Sequence, residues 1–103
     1  MKTILIDDLR QIPADTICRT PSSAYIELGK CFYDVYIFDH DLGMTGPGTS
    51  GYDILTWALE GHHINNDSVV YLVTQNPVGR MKMAAALITH GWVDYRAFFR
   101  KVK

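Results

Sequence analysis

Cysteine is scarce in these 103 residues: Cys18 and Cys31 are the only two, and Met1-Lys2-Thr3 leads straight into an apolar strand pattern with no signal peptide ahead of it. That argues against a disulfide framework and predicts reduced thiols in a cytoplasmic protein. Long apolar runs are also missing; none approaches the roughly 20 residues that span a bilayer, so no membrane role is expected. Neither sign of charge dominates. Ten basic and eleven acidic residues leave a net charge of -1, so no overall positive field draws nucleic acid to the surface, although a local basic patch stays open. No internal repeat, heptad pattern or low-complexity segment is present.

What is there reads as one globular core. Apolar residues make up 48% of the chain and charged residues 20%, and residues 1–103 are expected to form a single domain. Three apolar runs end in polar or acidic residues: Ile4-Leu5-Ile6 before Asp7-Asp8, Val35-Tyr36-Ile37-Phe38 before Asp39, and 69–73 before Thr74. Continuous runs of this length suggest strands buried on both faces. Helical patterns separate them: 21–32, with Thr20 as N-cap and Pro21 in first position; 52–60, closed by Gly61; and 78 or 79 to 90, with Met81, Ala84, Ala85 and Ile88 as its packing face. This alternation predicts a doubly wound, mostly parallel α/β sheet of four to five strands with helices on both sides. A further strand is expected at 14–19. It lies too close to the first for a crossover helix, so the eight residues 8–15 must return extended, a reach of roughly 26 Å. An edge strand at 92–95 and a short helix or frayed tail over 96–103 complete the expectation.

In open α/β sheets, ligands bind beyond the carboxyl ends of the strands, and this topology brings Asp7, Asp8, Asp39 and Asp41 to that edge. Crowded carboxylates repel one another, and Mg2+ or Mn2+ relieves the repulsion by taking hard oxygen ligands; equally, acids after strands cap loops and helix ends. His40, between two acids, is suited to moving a proton near neutral pH. Strand alternation would instead turn it away as a buried histidine, unless a loop begins at His40. Asn76-Pro77-Val78-Gly79-Arg80 opens a helix, so its amides and the Arg80 guanidinium can receive an anion, or it is simply a well-capped turn. Arg10 and Arg19, just beyond the first two strands, can grip further phosphate oxygens or pair with the acids. Residues 43–51 carry four glycines, the mark of a loop that bends tightly or approaches a ligand. His62-His63 reads as a solvated loop, and Trp57, Met81, Met83 and Trp92 as packing.

Ile4-Leu5-Ile6-Asp7-Asp8, the strand ending in Asp39, Gly51-Tyr52-Asp53-Ile54-Leu55 and the strand ending in Thr74 resemble a response-regulator receiver domain. The resemblance implies a flavodoxin-like sheet with an acidic magnesium pocket, in which Asp7 and Asp8 are the acidic pair, Asp39 holds the phosphoacceptor position and Thr74 the switch hydroxyl position. The first helix is missing, and Phe98 stands about where receivers carry a lysine, so ordinary phosphorelay signalling is not expected. The cyclic-phosphate processing receiver-like family is a closer resemblance. It rests on Asp7-Asp8-Leu9-Arg10, Arg19-Thr20, Asp39-His40-Asp41-Leu42-Gly43 and Asn76-Pro77-Val78-Gly79-Arg80, in that order over about residues 4–83.

The expected function is therefore a metal-dependent phosphoesterase that opens a cyclic phosphate on a nucleotide or RNA end. Asp7, Asp8 and Asp39, joined by Asp41, would hold Mg2+ or Mn2+. His40 would shuttle the proton with Asp39 and Asp41 as its catalytic neighbours, and Arg10, Arg19, Thr74, Asn76, Gly79 and Arg80 would bind the phosphate. Water is the expected nucleophile, with an aspartyl-phosphate at Asp39 as the variant route. Two other classes remain open: a module that sequesters a cyclic nucleotide or dinucleotide without turnover, as a homodimer joined by a helix face, and a degenerate receiver acting through protein contacts.

Overall fold

The computed structural model describes residues 1–102 and runs β1 (Thr3–Ile6), β2 (Thr16–Cys18), α1 (Pro21–Lys30), β3 (Val35–Phe38), α2 (Gly51–Glu60), β4 (Val69–Leu72), α3 (Pro77–Thr89), β5 (Trp92–Asp94) and β6 (Phe99–Lys101). Each helix starts where a short polar side chain satisfies its free amides. The Thr20 hydroxyl accepts from the Ser23 amide while the Thr20 amide donates to Ser23 Oγ, Ser50 and Asp53 form the same reciprocal box, and Asn76 accepts from the Gly79 amide. Pro21 and Pro77 take the first helical positions, where a missing N–H costs nothing.

The strands form one sheet in the order β2-β1-β3-β4-β6-β5. The first four run parallel, and β6 pairs antiparallel with β4 and with β5. This is the mostly parallel, receiver-like α/β sheet expected, with the first helix missing, but it has six strands rather than four or five. The extra strand corrects the reading of 96–103 as a helix or frayed tail. Arg96, at φ 74°, turns the chain back, and Phe99, 1% exposed, closes the core opposite Val70. Lys103 lies outside the described residues.

Helices cover one face of the sheet, not both. From β2 to β3, to β4 and on to β5 the chain advances in a single direction, and right-handed crossovers then put α1, α2 and α3 on the same side. The buried cluster agrees: it unites the helices with Ile4, Ile6, Tyr36, Phe38, Val70, Leu72 and Phe99, which share one face. The opposite face carries the in-register row Ile17, Leu5, Ile37, Tyr71. Among the described residues only the connection from β1 to β2 is wound the other way, and there 8–15 replaces a helix. Leu5 is 0% exposed, whereas Ile17 and Tyr71 at the flanks are 43% and 36% exposed, so the extended return roofs the middle of that face and leaves its edges open. No helix among the described residues is long and apolar enough to cross a membrane.

The packing face of α3 also differs from expectation. Gly79, Met83, Ala86 and Leu87 point inward, while Met81 and Ile88 are exposed. Gly79 lies directly against the His40 ring, and of the expected stripe only Ala84 packs on the core while Met81, Ala85 and Ile88 face outward.

Candidate functional site

The first half of the site is a buried acidic niche. β1 delivers Asp7 at its carboxyl end, and a tight turn folds the next residues back over it: Asp7 Oδ1 accepts the amides of Leu9 at 3.0 Å and Arg10 at 3.1 Å. Asp7 Oδ2 accepts Arg10 Nη1 at 2.9 Å, and the same nitrogen lies 3.3 Å from Asp39 Oδ2. Asp39 follows β3; its amide donates to the Ile6 carbonyl at 2.9 Å, and its Oδ1 accepts the His40 amide at 2.8 Å. Asp7, Asp8 and Asp39 each bring a carboxylate oxygen within 4.8 Å of the others. Asp8 is half-buried and faces Gly43, where a Cβ would stand 3.1 Å from Asp8 Oδ2 and a φ of 72° strains any larger residue.

Burial pulls the Asp7 carboxyl upward, but the Leu9 and Arg10 amides and the Arg10 guanidinium outweigh it and hold the group below its ordinary value. Asp39 lies above its ordinary value: burial and the neighbouring Asp7 charge exceed the help of the His40 amide, Arg10 and the Thr74 hydroxyl. Thr74 also accepts the Asn76 amide at 3.1 Å and so ties the niche to α3.

The second half is more open. β3 ends at Phe38, so the loop begins at Asp39 and strand alternation no longer decides where His40 points. His40 Nδ1 lies 3.0 Å from Asp41 Oδ1, and Asp41 Oδ2 lies 3.5 Å from Asn76 Nδ2. Asp41 is outside the acidic niche and serves the imidazole instead. Two glycines make this packing feasible: a Cβ on Gly79 would stand 2.5 Å from His40 Cγ, and one on Gly51 would stand 1.7 Å from the Asp39 carbonyl oxygen. The Gly51 amide donates to the His40 carbonyl at 2.7 Å, and the Tyr25 hydroxyl pins the glycine-rich loop through the Gly48 carbonyl at 2.8 Å.

Two of the arginines named as phosphate ligands are spent on backbone. Arg19 Nη1 donates to the carbonyls of Asp7 at 3.1 Å and Arg10 at 2.7 Å, clamping the turn that carries the niche. Arg80 Nη1 donates to the Leu72 carbonyl at 2.8 Å, and Nη2 lies 3.5 Å from that of Arg96. Arg10, Thr74, Asn76 and Gly79 do converge around the acids and His40. Phe98 stacks on Tyr95 and lies tilted against Tyr71, and the cation that meets the acids is Arg10. His63 is not free in solvent but stacks on Trp57 with ring centroids 4.3 Å apart. Gly51 and Tyr25 were not picked out as site residues; the four glycines of 43–51 were the signal for the first, and nothing in the sequence marked the second.

The carboxylates suit a hard divalent cation. They offer three oxygens from three separate backbone positions, and half-exposed Asp8 gives access from solvent. A parallel sheet with an acidic pair after β1, an acid after β3 and a hydroxyl after β4 defines a receiver-type α/β domain. Residues 2–89 match the family model described as cyclic-phosphate processing receiver domain, and the chain belongs to that family. No curated protein and no solved structure matches the chain significantly.

Proposed function

We propose that the protein is a metal-dependent phosphoesterase that opens the cyclic phosphate of a nucleotide or an RNA end. One observation carries this reading: three carboxylate oxygen donors lie within 4.8 Å of one another beside a histidine whose second nitrogen meets no hydrogen-bond partner among the described residues. Asp7, Asp8 and Asp39 would hold Mg2+ or Mn2+, which supplies charge stabilisation to the phosphoryl oxygens. With Asp41 Oδ1 as acceptor, Nδ1 of His40 would carry its hydrogen and Nε2 would be left to take a proton. Water attacks phosphorus and gives that proton to Nε2; the bond to one ring oxygen breaks, and the leaving oxygen takes a proton from the imidazolium. Asn76 Nδ2 and the Arg10 guanidinium are the donors placed to meet charge building on the phosphate. Arg19 and Arg80 position the turn and α3.

Incubation with 2',3'-cyclic nucleotides, cyclic dinucleotides and a short RNA ending in a cyclic phosphate, with Mg2+ or Mn2+, should yield ring-opened product. His40→Ala should lower that rate by about 10²- to 10⁴-fold with the fold intact. An unchanged rate removes His40 from the mechanism, and tight binding without product replaces the phosphoesterase with a sequestering module.

A further inference from the structure

In the structure Arg10 already does the work of a cation. Its Nη1 bridges Asp7 Oδ2 at 2.9 Å and Asp39 Oδ2 at 3.3 Å, between two of the three carboxylates whose oxygens converge. A guanidinium nitrogen at hydrogen-bond distance from both oxygens fills the space in which an ion would sit at about 2.0–2.1 Å from each.

The backbone of Arg10 is fixed independently of that contact. Its amide donates to Asp7 Oδ1 and its carbonyl accepts Arg19 Nη1 at 2.7 Å, so the side chain can leave while the main chain stays. With 30% of the side chain exposed, a route to solvent is open.

We infer that Arg10 is an internal counter-cation that exchanges with a divalent ion, and that the displaced guanidinium is the group that then captures the phosphate. This rests on the cation site proposed above. It makes the two binding events cooperative, because a bound anion holds Arg10 off the carboxylates and a bound cation holds Arg10 available to the anion. Linkage requires the two effects to be equal.

Calorimetric titration with Mn2+ alone, with adenosine 2',3'-cyclic phosphate alone, and with each in the presence of the other tests this, using a catalytically impaired His40→Ala background to prevent turnover. Each ligand should tighten the other by the same factor, about tenfold. Replacing Arg10 by Gln, which keeps length without charge, should tighten Mn2+ binding by about tenfold, since the competing state is gone, and should reduce the coupling to what direct attraction between ion and phosphate leaves. Equal or weaker Mn2+ binding by the Arg10→Gln variant overturns the inference while leaving the cation site standing. Absence of Mn2+ binding in both proteins overturns the cation site and the inference together. Should the variant fail to fold by circular dichroism, the reciprocal titrations in the Arg10-containing protein decide alone, and zero coupling there refutes the exchange.

Discussion

Asp7 and Asp41 both follow strands of one sheet, yet their side chains are 1% and 67% exposed. Asp7 holds its charge because two amides and a guanidinium are aimed at it; Asp41 needs none of this, since water solvates it while it orients His40. The niche and the imidazole half of the site thus obtain the same chemical group in opposite ways. The lesson is that charge in the niche is part of the protein's stability, whereas charge beside His40 is available for chemistry at little structural cost.

The largest test of this contrast is removal of the niche's cation. Arg10→Ala leaves two buried carboxylates facing each other and should cost about 3 kcal/mol in urea denaturation; a loss below about 1 kcal/mol would mean that the niche is far better solvated than its burial implies. Arg19→Ala, which strips the carbonyls of Asp7 and Arg10 of a shared charged donor, should cost about 2 kcal/mol by the same measurement.

Within the niche the two buried acids should respond to pH in opposite senses. Asp7, held below its ordinary value, adds stability above the normal carboxylate range that is lost as pH falls through its lowered folded-state value. Asp39, held above, is favoured by protonation, so its contribution is present at low pH and lost as pH rises through its raised value. Asp39→Asn should therefore melt higher than the parent at neutral pH, with the difference vanishing as pH falls below the carboxylate range. Melting curves collected across that range would show a constant offset if burial of the charge were not the cause.

The smallest change in stability is expected outside the niche. Asp41→Asn should shift unfolding by less than about 0.5 kcal/mol, yet it should change the tautomer of His40, read from the imidazole nitrogen shifts by NMR. A large loss of stability would place Asp41 with the niche and erase the contrast.

Much of this was legible in the sequence because the signals were local. Apolar runs ending in Asp7, Asp39 and Thr74 gave the strands and their carboxyl edge, and Thr20-Pro21 and Asn76-Pro77 marked two helix starts. The extended return over 8–15 followed from a connection too short for a helix together with the parallel arrangement of the strands. What escaped was decided by tertiary contact. Phe99 became a strand residue because it fills the core opposite Val70, and α3 turns Gly79, Met83, Ala86 and Leu87 inward, with the glycine beneath His40. Arg19 and Arg80 could be placed at the correct edge, but no sequence pattern tells a guanidinium that faces a ligand from one that satisfies backbone carbonyls.

A sheet dressed with helices on one side is a two-layer object, and its midline is only a single chain's thickness from water. That thickness is the stretch between β1 and β2, the same stretch whose first turn delivers Asp8 and Arg10 to the niche. Shelter for Leu5 and assembly of the acidic niche are therefore one structural unit. Loosening it wets the interior and scatters the charged cluster at once, and whatever tightens the cluster draws the covering strip down onto the hydrocarbon beneath it.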